Sequence, residues 1–288
     1  MILSIPLPPA ELRDQIASYL PWSKSGAWTP LFGGRTNSAW QVSAQDGPEA
    51  AVLKLYQAPA QNPLFPNDPK AEAKLLRHLD GKAIAPKLIA QLQGPHGQGN
   101  LYQAIPGSRW TQGVTEVATL IQTLHAIAPP SGLRPIADGS AAVLAQADAI
   151  VAKCQQTAEL RALRPSVTIA PCSQQVLLHC DIVPGNLIRN AQGVHLIDWQ
   201  CPGIGDPCED LAIFLSPAMQ ILYRGAALSN VEIADFLQEF PELTAIRYRM
   251  LSPVYHYRMA AYCLWQYQNN RQDYAAGYAA ELAQLAAA

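Results

Sequence analysis

The apolar positions change period once along the chain, and that change marks its organisation. Leu12, Ile16 and Leu20 recur every four residues and predict a short amphipathic helix over 9–20. From Thr29 to Ala44 the pattern becomes that of two strands around a glycine-rich turn, and 50–56 predicts a third strand. Asp68 and Pro69 predict an N-cap and a first helical residue, with Leu75, Leu76 and Leu79 on the buried face of the helix that follows. Two further strands are expected over 85–92 and 100–105, flanking a loop at 94–100. Helices are then predicted over 112–127, 141–163, 207–223, 231–240 and 244–287, interrupted by strand-like pieces within 175–199 and a proline-containing loop at 129–135. Strands followed by helices predict an α+β fold rather than alternating βαβ units, with a small β-rich lobe over 1–104 and a larger helical lobe over 105–288.

Composition narrows the partners. Hydrophobic residues make up 49% of the 288 and charged residues 15%, which suits an ample interior. Twenty basic against 22 acidic residues give a net charge of -2, so the balance offers nothing to nucleic acid or an anionic membrane. No apolar run is long enough to span a bilayer. The first nine residues lack a basic region and are interrupted by Pro6, Pro8 and Pro9, so they do not read as a signal peptide and a cytoplasmic location is expected. The six cysteines form no C-x-x-C pair and have no histidines at zinc-finger spacing, so buried free thiols are expected.

The chemistry concentrates in one stretch, His179-Cys-Asp-Ile-Val-Pro-Gly-Asn186, followed by Val194-His-Leu-Ile-Asp198-Trp-Gln. Each residue alone is an ordinary turn former. Together, between the apolar pairs Leu177-Leu178 and Leu187-Ile188, they form H-x-D-x-x-x-x-N with an acidic residue at a following strand end. Phosphoryl transfer needs a carboxylate to orient and deprotonate the attacking hydroxyl, and oxygen ligands to hold Mg²⁺ on the phosphates. Asp181 supplies the first, and Asn186 and Asp198 the second. His179 fits loop support by hydrogen bonding better than the role of base. Downstream, Asp206-Pro207-Cys208-Glu209 predicts a helix start, with Asp206 as N-cap and Glu209 closing a capping box.

These motifs, with Gly203-Ile-Gly-Asp-Pro207 and Asp210-Leu-Ala212, resemble those of the aminoglycoside phosphotransferase and choline kinase family, and in particular its bacterial choline-kinase-like and thiamine-kinase-like members. The resemblance implies a two-lobed protein-kinase-like fold with ATP between the lobes. It implies Asp181 as catalytic base, Asn186 and Asp198 as Mg²⁺ ligands and Asp210 as support for the catalytic loop. Trp199-Gln200 stands where protein kinases have Phe-Gly.

In the first lobe Lys54 is a lone cation in an apolar strand and needs an anion. Glu72 shares the inward face of its helix with Leu75 and Leu76 and is the expected partner, while the lysine touches the phosphates. The plain alternatives are an edge-strand lysine in water and a glutamate favoured by the helix dipole. The turn Gly33-Gly34-Arg35-Thr36-Asn37 is similar to the Gly-Gly-x-Thr-Asn turn of small-molecule kinases and is expected to cover the phosphates. The backbone of 102–105, through Gln103 and Ile105, is the expected adenine contact.

For the acceptor, Trp199 and the aromatic helix bearing Tyr255, Tyr262 and Trp265 offer faces to a quaternary ammonium, although core packing is the plainer reading of any one aromatic at helical spacing and Trp199 is the better placed contact. A polycationic acceptor calls for acidic groups beyond those already given structural roles. The sequence therefore predicts a Mg·ATP-dependent kinase acting on a hydroxyl of a small acceptor, choline-like or another amino alcohol. An aminoglycoside kinase and a catalytically silent nucleotide-binding protein are the alternatives.

Overall fold

The computed structural model describes residues 7–31, 37–56 and 62–287. Gly33, Gly34 and Thr36 lie outside them, as does most of the N-terminal stretch. The chain divides into two compact units, Met1–Gly107 with His195–Cys201, and Ser108–Val194 with Pro202–Ala288.

The first unit opens with α1 (Ala10–Tyr19), which has no side-chain cap and is held through its buried Leu12 and Ile16. These pack on one face of an antiparallel sheet of β1 (Ala27–Leu31), β2 (Ser38–Ser43), β3 (Ala50–Leu55), β4 (Leu88–Gly94) and β5 (Gly97–Gln103), ordered β1-β2-β3-β5-β4. Trp40, Val42, Ala51, Leu53, Leu92 and Leu101 complete that core. Because strand side chains alternate, Lys54 and Val52 leave the sheet on the opposite face from Ala51 and Leu53. The stretch expected as a loop at 94–100 is mostly strand, since the β4–β5 hairpin turns tightly between the paired Gly94 and Gly97. Helix α2 (Pro69–His78) is capped by Asp68, whose carboxylate accepts from Lys70 and Ala71 N–H at 2.9 and 3.0 Å. A cavity of 320 Å³ lies between α1 and the β4–β5 hairpin, lined by Leu12, Leu55, Leu92 and His96; Leu55 points into it, so it lies across the sheet from Lys54.

The second unit contains β6 (Ser108–Arg109), α3 (Val114–His125), β7 (Arg134–Pro135), α4 (Gly139–Val151), α5 (Ala158–Ala162), β8 (Val176–Leu178) and β9 (Leu187–Asn190). Next, β10 (Gly193–Leu196) carries the chain into the 195–201 segment of the first unit. After β11 (Gly203–Gly205) come α6 (Cys208–Leu215), α7 (Pro217–Arg224), α8 (Asn230–Gln238), α9 (Glu242–Gln268) and α10 (Ala275–Ala287). Strand β11 pairs with both β7 and β8, and β6 pairs with β9. The long helix predicted over 207–223 is two helices, broken where Ser216 caps α7 and Pro217 takes its first position. Helix α9 instead runs through Pro253, and Ser252 Oγ donates to the Arg249 carbonyl, at 3.0 Å, that the proline nitrogen cannot reach.

The capping box expected at Asp206 does not form. Asp206 accepts from Cys208 N–H at 2.9 Å, but Glu209 turns its carboxylate inward to Arg258, at 2.7 Å. A capping box is found instead at Ser229 and Glu232. Arg224, followed by the Ser229 N–H, holds the Glu232 carboxyl down at about 2. All six cysteines are free thiols. Burial pushes Cys180, Cys208 and Cys263 well up and Cys154 up to about 11. No helix among the described residues is long and apolar enough to cross a membrane.

Candidate active site

Two clusters of polar groups stand out, one in each unit. In the first, Lys54 on β3 is 4% exposed, and its ammonium donates to Glu72 Oε2 at 2.9 Å and forms an ion pair with Asp198. Burial works against its charge, yet the pull of Asp198 and then Glu72 outweighs that and raises the ammonium above its ordinary 10.5. The other Glu72 oxygen accepts from Trp199 N–H at 3.2 Å, so Glu72 ties the lysine to the chain just beyond Asp198. Asp198 has φ +66°, a left-handed conformation that aspartate adopts more readily than most non-glycine residues. The segment around it is stitched down by Leu196 N–H to the Ile84 carbonyl at 2.9 Å and His195 to the Ala83 carbonyl at 2.8 Å.

In the second unit β8 is fully buried and delivers His179 and Cys180 into the core. Cys180 also has a positive φ, +61°, which turns the chain sharply before Asp181. Asp210 on α6, with no exposed surface, accepts from His179 N–H at 3.2 Å and Cys180 N–H at 2.8 Å, with His125 Nε2 at 3.0 Å on the same carboxylate. A buried carboxylate group thus fixes the strained turn through backbone donors. His179 Nδ1 accepts from Asp181 N–H at 3.2 Å, which makes its imidazole part of the loop's support. Asn186 Nδ2 donates to the Asp181 carbonyl at 2.9 Å and to its carboxylate at 3.1 Å. With the nitrogen so committed, Asn186 Oδ1 is left without a hydrogen bond among the described residues.

Gly185 in this loop meets Tyr223 of α7, since a Cβ added there would lie 2.6 Å from the ring. Gly185→Ala is therefore expected to destabilise the protein by about 1–3 kcal/mol through overpacking, read as a lower urea midpoint at unchanged m value. Tyr223, half-buried beside the loop, carried no signal in sequence beyond its place on an apolar helix. His125 and Gln200 are likewise found only through their contacts.

The remaining candidates scatter. Asp206 accepts Arg247 Nε at 2.7 Å and is a structural anchor. Trp199 has no exposed surface and donates its indole N–H to the Leu196 carbonyl at 3.0 Å, so it has no face to offer an acceptor. Tyr255 is buried with Arg258 5.1 Å from its ring centre, so that ring already has a cation. Tyr262 is buried against Trp265 and Tyr274, and Trp265 alone of the three α9 candidates keeps partial exposure. Gln103 donates its N–H to the Lys87 carbonyl at 2.9 Å, whereas no hydrogen bond among the described residues engages Ile105. Asn37 spends its amide on Asn67 and Gln200.

A buried lysine–glutamate pair with an aspartate at its tip, and a separate loop presenting an aspartate hydrogen-bonded to an asparagine, are the side chains that the sequence motifs predict. Residues 27–246 match the model of the phosphotransferase enzyme family that includes the aminoglycoside phosphotransferases, and the chain belongs to that family. Among solved structures it is similar to a choline/ethanolamine kinase family protein from Mesorhizobium loti, with TM-score 0.66 and 15% identity over 96% of this chain and 93% of that one. It is similar to a choline kinase from Cryptosporidium parvum, at 0.63 and 14% over 96% and 94%. A ternary complex of the aminoglycoside phosphotransferase APH(4)-Ia with AMP-PNP and hygromycin B gives 0.61 and 16% over 96% and 98%. No curated protein sequence matches significantly.

Each unit carries one donor of a kind that suits Mg²⁺, the metal implied by the family. Asn186 Oδ1 and the Asp198 carboxylate, whose side chain is 27% exposed, are hard oxygen donors. No group of three or more His, Cys, Asp or Glu among the described residues offers a full protein cage.

Proposed function

We propose that the protein is a Mg·ATP-dependent kinase that phosphorylates a hydroxyl of a small acceptor, choline-like or another amino alcohol. The observation that carries the reading is the Asp181–Asn186 arrangement. It holds a carboxylate ready for a hydroxyl proton while leaving the amide oxygen of Asn186 uncommitted. Asp181 accepts the proton as the acceptor oxygen takes the γ-phosphoryl group and ADP leaves. Lys54, kept charged by its carboxylate partners, binds the α- and β-phosphates, and Glu72 orients it. The uncommitted backbone of Ile105, with Gln103 before it, would offer hydrogen bonds to the adenine edge, and Gly33, Gly34 and Thr36 would contact the phosphates. Asn186 and Asp198 would each offer Mg²⁺ a hard oxygen ligand, and the ion when bound would offset the phosphate charge.

On the acceptor side, Tyr223 beside Gly185 and the partly exposed Trp265 supply the aromatic surface suited to an ammonium group. A cytoplasmic location accords with the free thiols. The test is an ADP-release screen over choline, ethanolamine, thiamine, sugars and aminoglycosides, with EDTA as control. Turnover is expected with an amino alcohol and lost with EDTA. Turnover confined to aminoglycosides would overturn the acceptor assignment.

A further inference from the structure

Each member of the Lys54–Glu72–Asp198 cluster has an amide side chain on its own or the adjoining stretch of backbone. Asn37 precedes by two residues Ala39, which faces Lys54 across the β2–β3 ladder. Asn67 adjoins Asp68, the cap of the helix that carries Glu72. Gln200 follows Asp198 by two residues. The three amides bond to one another. Asn37 Nδ2 donates to Gln200 Oε1 at 2.7 Å and to Asn67 Oδ1 at 2.9 Å, and Asn67 Nδ2 donates back to Asn37 Oδ1 at 2.8 Å. The Gln200 carbonyl in turn accepts from Asp68 N–H at 3.3 Å.

Gln200 therefore links all three segments, with its side chain on Asn37, its carbonyl on the α2 cap and its backbone leading to Asp198. It is 6% exposed, so its amide is withdrawn from competing water. Neutral amides suit this place. They carry both donors and acceptors, so one side chain can hold two partners at set distances. The reciprocal Asn37–Asn67 pair has two parallel bonds, which sets orientation as well as separation. Both Asn37 Nδ2 hydrogens are used in the network, so that side chain keeps no N–H for a phosphate.

We propose that Asn37, Asn67 and Gln200 are positioning residues, with Gln200 as the hub of an amide latch that sets Lys54, Glu72 and Asp198 in register for Mg·nucleotide. The inference rests on the nucleotide reading given above. Outer partners of this kind commonly govern metal affinity without touching the ion.

The test compares wild type with Gln200→Met, which keeps length and loses the acceptor, and Gln200→Glu, which keeps an oxygen for Asn37. Calorimetric Kd for AMP-PNP is measured with Mg²⁺ and with EDTA, beside the Tm. Gln200→Met is expected to weaken Mg·AMP-PNP about tenfold or more, with a smaller loss in EDTA, and Gln200→Glu to recover most of it. Asn67→Ala gives the same selective loss and serves if Gln200→Met does not fold. A lowered Tm with wild-type Kd would mean that the latch holds only the fold, and the inference would be wrong. Failure of the wild type to bind Mg·AMP-PNP would instead remove the nucleotide reading, and this inference with it.

Discussion

Asp181→Asn is expected to lower kcat by about 10²- to 10⁴-fold, the usual range for removal of a positioned general base. The substitution is nearly isosteric, and the new amide can still present its oxygen to Asn186 Nδ2, which stands 3.1 Å from the carboxylate. The turn itself is held elsewhere, by Asp210 on the His179 and Cys180 amides. Fold and Mg·ATP affinity should therefore persist, and kcat and kcat/KM should fall together, the mark of an interaction made in the transition state. Steady-state kinetics with the acceptor found in the screen provides the measurement. A variant with wild-type kcat would remove Asp181 from the chemistry.

Lys54→Met carries the second large effect, this time on stability. It strands Glu72, 1% exposed, with a carboxylate whose nearest cation is gone, and breaking a buried pair in this way costs about 3–5 kcal/mol. Replacing both members, as in Lys54→Met with Glu72→Leu, is expected to return much of that loss, because no charge is then left buried. Urea denaturation of the three proteins measures the difference. The lysine also gives the wild type a pH signature. Its folded value lies above the ordinary 10.5, so its contribution is complete below about pH 10.5 and fades as pH climbs through the higher folded value. The wild type should lose stability over that alkaline range, and Lys54→Met should lack this component.

How much of this could be read from the sequence depends on the range of each interaction. The α+β class followed from the switch between strand and helix periods, and the family from the run at 179–199 and its downstream motifs. Local chemistry was legible: Asp68 caps α2 through its own next residues, and Lys54 had to find an anion because its strand neighbours are apolar. Glu72 lay on the right face of its helix to be that anion. Contacts across long separations left no trace in spacing. Glu209 looked like a capping residue because its local context is Asp-Pro-Cys-Glu, yet Arg258, 49 residues on, takes its carboxylate. Trp199 looked like a ligand contact because it adjoins Asp198, but the left-handed turn at Asp198 sends the indole into the core. The aromatic run of α9 carried the same ambiguity. At helical spacing an aromatic stripe reads alike whether it lines a pocket or a core, and Tyr255 and Tyr262 proved to be core. The amide latch was invisible for a further reason. Asn and Gln are so common in turns that three of them, in separate parts of the chain, give no sign that they meet.

The most direct test of the central claim is ³¹P NMR of the purified protein with Mg·ATP and the acceptor panel. A new phosphomonoester resonance, appearing in step with ADP for one acceptor and absent with Asp198→Ala, is the predicted result. If no acceptor gives a phosphomonoester, or if one forms equally with Asp198→Ala, the assignment of this site to phosphoryl transfer is contradicted.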